Sequence, residues 1–439
     1  MVRFNEFVNR APAERSSILA GEIAEAHRRH FQANAAYRDC VAARGIGERV
    51  VPPHFARLLR PASLTFKSYV DVTGPFPQDS PSVFVDWLRD HLSIPLPLRH
   101  GALSRRYRTF EALLGAIEAA FADQGLEIVT SSSTSGRASV VVRDGSTLQL
   151  AVESFFTGIT RAWGITPGTA MIFVMPEQTR VAMARTAVLG TRTTDWASCG
   201  PVYFTMPFTA TPDQLRIRAG RAFRPGMAGA MERRVWHPLM LWAGEHLAPR
   251  RFVPLTRRRI EEVARAGTPL MLLGGLPHLH AVAREGTLAV PPGSRVASGG
   301  GTKDRYPFTP AEIRRDLASA FPGAVVCDVY GMAEANWAAF ECAAGNHHLP
   351  PWVYAVVTDD DDQIVTGPDT TGLLAFFDPV GGGGLFPPFF QTADRVRLVN
   401  GSTAHDPARS CPCGDDSAYI LGEIARVDLT EEAGCAAQV

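Results

Sequence analysis

The sequence predicts an α/β fold in which helices flank a largely parallel sheet. Two apolar runs carry this reading. Met171-Ile172-Phe173-Val174-Met175 stops at Pro176, and Leu270-Met271-Leu272-Leu273 stops at Gly274-Gly275. Short unbroken apolar stretches closed by chain breakers fit strands buried on both faces. Helical periodicity around them is the third observation. Leu113, Leu114, Ile117 and Phe121 share one face of Phe110 to Phe121. In Arg250 to Arg265, Ile260, Val263 and Ala264 point inward, with Arg257, Arg258, Glu261 and Glu262 outward. Such alternation places ligands at strand ends.

Taken in order, residues 1–100 form a helical N-terminal extension. Ile18, Leu19, Ile23, Ala24 and His27 recur at helical spacing, and Ala35-Ala36-Tyr37 continues the pattern. Residues 71 to 100, rich in Pro and Asp, read as a long irregular connection. The α/β core occupies 101–345. A small β-rich subdomain follows at 346–428, with turns at Gly367-Pro368-Asp369 and Gly381 to Gly384, and 429–439 is a short tail. No internal repeat or low-complexity tract interrupts this order.

Composition bounds the partners. With 439 residues and 46% apolar content the chain can bury a large core. Lys plus Arg equals Asp plus Glu, 44 each, so no global field argues for nucleic acid. Basic clusters at Arg216 to Arg234 and Arg250 to Arg265 read as solvated helix faces, with a dock for an anionic carrier or CoA as the alternative. No run of 18 apolar residues exists, and Met1-Val2-Arg3-Phe4-Asn5-Glu6 lacks the apolar region of a signal peptide. Seven cysteines, an odd number, fit a reducing cytoplasm. A homo-oligomer is left open.

Chemistry concentrates in three segments. Thr130-Ser131-Ser132-Ser133-Thr134-Ser135-Gly136-Arg137 is a hydroxyl-rich turn between two apolar runs, Leu126, Ile128, Val129 and Val140-Val141-Val142. Many small donors followed by an arginine suit a polyphosphate, although the GxxxxGK[ST] pattern is missing. Asp328-Val329-Tyr330-Gly331-Met332-Ala333-Glu334 sits at a strand end after Ala324-Val325-Val326, and Phe390-Gln391-Thr392-Ala393-Asp394-Arg395-Val396 follows. These three, in this order, resemble the phosphate loop, the aromatic-plus-acid motif and the ribose-binding Asp of the adenylate-forming enzymes. The resemblance implies ATP and Mg²⁺ as cofactors and a small-molecule carboxylic acid as substrate. Glu334 would be the Mg²⁺ ligand, Tyr330 the adenine wall and Asp394 the acceptor for both ribose hydroxyls. Gly299-Gly300-Gly301 follows the strand-like Arg295-Val296-Ala297 and lets backbone approach a flat ligand. Lys303 is either a contact to phosphate or carboxylate, or a surface lysine. The acid pocket is expected near Gly274-Gly275-Leu276-Pro277, with His278 and His280 read as structural. No GxSxG is present, which disfavours a nucleophile-elbow hydrolase.

Cys411-Pro412-Cys413-Gly414 is a tight thiol pair, and Cys342 with His347 or His348 lies upstream. Together they offer Cys₃His, a closed and structural Zn²⁺ site. Spacing does not choose between the histidines; His348 is preferred because it directly precedes Leu349-Pro350-Pro351-Trp352. Tyr330 to Glu334, Phe340-Glu341-Cys342 and the Cys-x-Cys look like the phenylacetate–CoA ligase branch. His348 to Trp352 and Gly299 to Lys303 resemble the bacterial luminescence acyl-protein synthetases and their relatives in antibiotic clusters. Three departures stand out. Arg137 replaces a Gly-x-Pro-Lys tail, Ala333 stands where Thr or Ser is common, and only eleven residues follow the hinge-like Ala425-Arg426-Val427-Asp428. A full C-terminal lid is therefore not expected.

The luminescence branch implies transfer of the acyl group to a Cys near the C-terminus, here Cys435. The sequence thus predicts AMP-forming activation of a carboxylic acid, then transfer to a thiol or amine of Cys435 or of an acyl-acceptor protein, carrier protein or reductase. Two alternatives stand beside it: a CoA or carrier-protein ligase using a partner's lid, and a non-catalytic adenylate-binding scaffold.

Overall fold

The computed structural model describes residues 4–97, 103, 105–132, 137–193, 200–300, 306–399 and 411–427. Its strands are β1 (Arg60–Pro61), β2 (Glu127–Thr130), β3 (Val140–Arg143), β4 (Ala170–Pro176), β5 (Val202–Met206), β6 (Leu270–Gly274), β7 (Ser294–Gly299), β8 (Ala324–Gly331), β9 (Ala338–Glu341), β10 (His347–His348), β11 (Tyr354–Thr358), β12 (Ile364–Val365), β13 (Asp369–Phe377), β14 (Phe389–Val399), β15 (Tyr419–Ile420) and β16 (Ala425–Arg426). All but β2 and β3 join one sheet, ordered β12-β11-β13-β14-β15-β10-β9-β8-β7-β6-β4-β5, with β1 and β16 both on β14. From β5 to β8 neighbours are parallel; from β8 onward the path is antiparallel. β2 and β3 form a separate antiparallel hairpin around the hydroxyl-rich turn.

The two apolar runs of the sequence are central strands of the parallel half. Ile172 and Leu272 face one side, packing with Ile260, Leu279 and Leu317 of the helices Ala248–Arg265, Leu276–Ala283 and Pro310–Ala320. Met171, Phe173 and Leu273 face the other, against Phe156 and Ile159 of Gly145–Trp163. The two-residue period of a strand explains why a run with no polar position is stable here. Each such side chain contributes roughly 1.5–3 kcal/mol on burial.

The N-terminal helices pack on the antiparallel half and the hairpin. Phe4, Phe7, Phe84 and Trp87 share a core with Leu113, Val141, Trp352, Phe376 and Phe390. Residues 71 to 100 correct the sequence expectation: a helix, Pro81–His91, buries Phe84, Val85, Trp87 and Leu88. Pro81 occupies the first turn, where its missing N–H is no loss, so the proline that read as a breaker starts the helix. Among the described residues no helix is long and apolar enough to cross a membrane.

Candidate functional site

The parallel strands bring their C-terminal ends to one side of the sheet, where a cleft of about 3470 Å³ opens. The ends of β4, β6, β7 and β8 form its floor, and the β2–β3 hairpin faces them. A drug-sized ligand needs roughly 300–1,000 Å³, so a nucleotide and a second reactant fit together. Ser131, Ser132, Arg137, Gly299, Gly300, Asp328, Tyr330, Gly331, Met332, Glu334, Asp394 and Arg426 all line it. Ser133, Thr134, Ser135, Gly136, Gly301, Lys303 and Cys435 lie outside the described residues, as does Asp428.

Three of the lining residues form one cluster. β14 and β16 pair with Asp394 opposite Arg426. Tyr330, near the end of β8, donates its hydroxyl to Asp394 Oδ2 at 2.8 Å, and Arg426 Nη1 lies 3.3 Å from Oδ1. The Asp394 backbone N–H donates to Thr392 Oγ1 at 3.0 Å. Burial, and then the Asp394 charge, push the Tyr330 phenol well above its usual value, so it remains a neutral donor. Each Asp394 oxygen keeps an acceptor position after these bonds, which suits a vicinal diol.

Glu334 sits on the loop after β8. Arg143, 2% exposed in β3, fixes that loop from behind. Its Nε donates to Asn336 Oδ1 at 2.7 Å, and its Nη2 to the carbonyls of Ala333 and Ala335 at 3.1 and 3.0 Å. Asn336 Nδ2 donates onward to the Gly381 carbonyl at 3.0 Å. The residues on both sides of Glu334 are thereby held, and its carboxylate is left at the cleft. Asp328 accepts from Ser298 Oγ at 2.5 Å and pairs with His347 Nε2 at 3.2 Å. Burial alone would raise its pKa; the bonds from His347 and Ser298 override this and hold it below the usual carboxylate value.

Motif reasoning misses Lys67, which lines the same cleft. The Phe66 carbonyl accepts from Val140 N–H at 2.9 Å, and the Tyr69 hydroxyl donates to the Ala138 carbonyl at 3.0 Å. The chain around Lys67 is thus tied to the strand leaving the hydroxyl-rich turn. Burial draws its pKa below the ordinary lysine value, opposed by the neighbouring Glu334 carboxylate and reinforced by Arg426 and Arg137. A sequence signal existed: of 44 basic residues only Lys67 and Lys303 are lysines. Lysine offers a compact ammonium where arginine offers a planar fork, so two lysines among so many arginines stand out.

A second cluster lies on the antiparallel side. One ligand atom from each of Cys342, His348, Cys411 and Cys413 falls within 4.8 Å of all the others. Cys342 Sγ is 3.7 Å from Cys411 Sγ, and Cys413 Sγ is 3.3 Å from His348 Nε2. Tetrahedral Zn²⁺ with Zn–S near 2.3 Å requires S···S edges of about 3.8 Å, so these donors fit it. Asn346 Nδ2 and the Asp415 N–H each donate to a thiol sulfur, and His348 Nδ1 lies 3.4 Å from Asp415 Oδ1. Adjacent residues of a strand point to opposite faces; His348 therefore joins the cysteines while His347 turns to Asp328. His280 is buried between Tyr306 Oη and Asp316 Oδ2, both at 2.8 Å, whereas His278 lines the cleft.

No protein-family model matches the chain, and no curated protein matches it in sequence. Solved structures do resemble it. The open conformation of 2-hydroxyisobutyryl-CoA ligase, in complex with 2-HIB-AMP and CoA, superposes over 96% of this chain and 72% of its own, with a TM-score of 0.57 and 13% identity. The same enzyme in its thioesterification state gives a TM-score of 0.57 and 15% identity over 96% and 70%. Its postadenylation state with 2-HIB-AMP gives 0.50 and 14% over 95% and 70%. The chain therefore has the adenylate-forming ligase fold.

Proposed function

We propose that the protein activates a carboxylic acid with ATP, forming an acyl- or aryl-adenylate and pyrophosphate, and then transfers the acyl group to a thiol or amine. The observation that carries this reading is the Tyr330–Asp394–Arg426 cluster: a diol acceptor on β14, held against the end of the parallel strand β8, in the same cleft as Lys67, Arg137 and Glu334. Asp394 holds the ribose hydroxyls, and the Tyr330 ring presents a flat wall to the base. Fixing the nucleotide in this way removes part of the entropic barrier. Glu334, a hard oxygen donor fixed by its clamped neighbours, would hold Mg²⁺, which when bound neutralises phosphate charge. Lys67, and Arg137 at the end of the hydroxyl-rich turn, face the charge that builds as the substrate carboxylate attacks the α-phosphorus and pyrophosphate leaves. Lys303 and the rest of the turn belong to the same reading from sequence.

In this reading the Cys₃His cluster holds a structural zinc, because four protein ligands leave no open position for chemistry. The acceptor is an acyl-acceptor protein, a carrier protein, CoA or the chain's own Cys435. An acyl-protein synthetase is the subtype that the sequence favours.

ATP–pyrophosphate exchange over a panel of fatty, aryl and amino acids tests the proposal. Acid-dependent exchange in the wild type is the expected result. In Asp394→Ala it should be lost at limiting ATP, with ATP binding weakened by about 1.5–3 kcal/mol. A folded wild type that binds no ATP and exchanges with no acid would refute adenylation.

A further inference from the structure

One surface of the molecule does not belong to the cleft chemistry. Residues 226–265 run as one continuous helical rod, in which two π-helical turns, Glu232–Trp236 and Ala243–Leu247, alternate with α-helical segments. Each π turn directly precedes a segment with proline in its first turn, Pro238 and Pro249. A widened turn relieves the clash between a proline ring and the carbonyl four residues earlier. The rod is anchored at its start. Arg216 forms a buried two-pronged ion pair with Glu232 at 2.7 and 2.9 Å, and His237 Nδ1 pairs with the Ile217 carbonyl at 2.8 Å.

Its outer side is bare. Met227, Met231, Val235, Trp236, Leu239, Trp242 and Leu247 are each 42–86% exposed, and they supply seven of the fourteen exposed large apolar side chains among the described residues; Leu247, at the end of the row, also borders the cleft. Their spacing of mostly three to four residues makes one stripe. From Met227 to Leu247 it runs for about 30 Å. Scattered apolar residues need no explanation, but a contiguous stripe marks an interaction site. The inner side of the same rod, at Met240, Leu241 and Gly244, forms part of the cleft wall.

Charge selects the occupant. Residues 214–251 hold eight arginines against two acidic residues, in a chain with no net charge. Arg218, Arg221, Arg250 and Arg251 line the cleft near the rod without an ion-pair partner among the described residues. Elsewhere on the cleft, Arg314 and Arg426 are paired, with Glu341 and Asp394. A second copy of this chain would set arginine against arginine, which repels. A small anion would satisfy the arginines but leave a 30 Å apolar stripe uncovered. An anionic bilayer could cover both, but it brings no nucleophile to the cleft.

We propose that this rod docks an acidic carrier protein whose thiol-bearing arm enters the cleft alongside it. The proposal rests on the adenylation reading above and names its acceptor. The carrier's thiol sulfur bonds to the acyl carbon, the carbon–oxygen bond to AMP breaks with its electron pair passing to the phosphate, and the thiol proton goes to water. Apolar side chains on the carrier cover the stripe, and its carboxylates meet Arg233, Arg234 and the unpaired arginines at the mouth.

Three probes decide it: a holo acyl carrier protein bearing phosphopantetheine, free CoA, and phosphatidylglycerol vesicles. Acid and ATP conditions are those that support exchange in the wild type. Acyl transfer to the holo carrier should weaken as salt rises. Arg233→Glu/Arg234→Glu and Leu239→Ser/Trp242→Ser should each lower kcat/KM for the carrier by about tenfold or more. Pyrophosphate exchange, which also reports correct folding, should stay unchanged in both. The proposal is overturned by carrier transfer equal in variants and wild type, by transfer to CoA but not to the carrier, or by vesicle binding that needs the stripe while carrier transfer does not. A wild type with no exchange for any acid would instead remove the underlying adenylation reading.

Discussion

At the scale of single residues, the cleft separates groups that hold from groups that meet charge. Asp394 is buried and bonded by Tyr330 and Arg426, which suits a fixed contact. Lys67 stands beside Glu334 and Arg137, where phosphate charge would build. Lys67→Met should therefore lower the rate of pyrophosphate exchange by about 10²–10³-fold, the usual loss for one preorganised charge donor. ATP affinity should change much less, because a group felt mainly in the transition state alters rate rather than binding. Lys67→Arg should recover only part of the rate, since the guanidinium is larger and spreads its charge. Rapid-quench measurement of adenylate formation, alongside nucleotide titration, reads both quantities. An exchange rate within twofold of wild type in Lys67→Met would remove Lys67 from the chemistry.

Elements show what sequence reading can reach. β4 and β6 were legible because burial on both faces leaves an unbroken apolar run. The antiparallel hairpin was legible because apolar runs flank a turn of small polar residues. Lys67 was not, because its position depends on two hydrogen bonds to the far strand of that hairpin, and no local pattern encodes them. Arg143 was missed for a related reason: a buried arginine inside an apolar strand signals a partner, but not that the partner is the loop bearing Glu334. The stripe at 227–247 was blurred in sequence by two π turns, which break a regular helical period. In contrast, the alternation of β10 separated His348 from His347, a choice spacing alone left open.

The zinc reading belongs to this scale. Segments 342–348 and 411–417 meet at the four donors and their neighbours, beside the β10–β15 pairing, so a metal there would crosslink distant chain segments. One zinc per chain should be found by elemental analysis of protein purified without added metal. Chelation, or Cys413→Ser, should lower the melting temperature while leaving exchange per folded molecule intact. A metal-free protein whose melting ignores chelator would exclude the site.

Over the whole molecule, one sheet unites a parallel half that carries the cleft floor with an antiparallel half that carries Asp394. A buried polar chain reinforces the join behind the cleft: Arg143 to Asn336, Asn336 to the Gly381 carbonyl, and the Gly381 N–H to Asp378 Oδ1 at 2.8 Å. Asp378 is 1% exposed, and its other oxygen has no hydrogen-bond partner. Burial raises its pKa from 3.8 to about 7, against the lowering effect of the Gly381 and Gly382 N–H groups. Between these values the folded protein keeps a proton that the unfolded chain releases. Stability from this group is therefore full below the unfolded pKa and falls as pH rises towards the folded one. The loss is on the order of a few kcal/mol across that window. Asp378→Asn keeps the acceptor for Gly381 and carries no proton to release, so its stability relative to wild type should rise steadily from pH 4 to pH 7 and then level off. Urea unfolding of both proteins across this range measures the difference. Parallel curves would mean that Asp378 is ionised in the folded protein, and that the polar chain behind the cleft accommodates a buried charge.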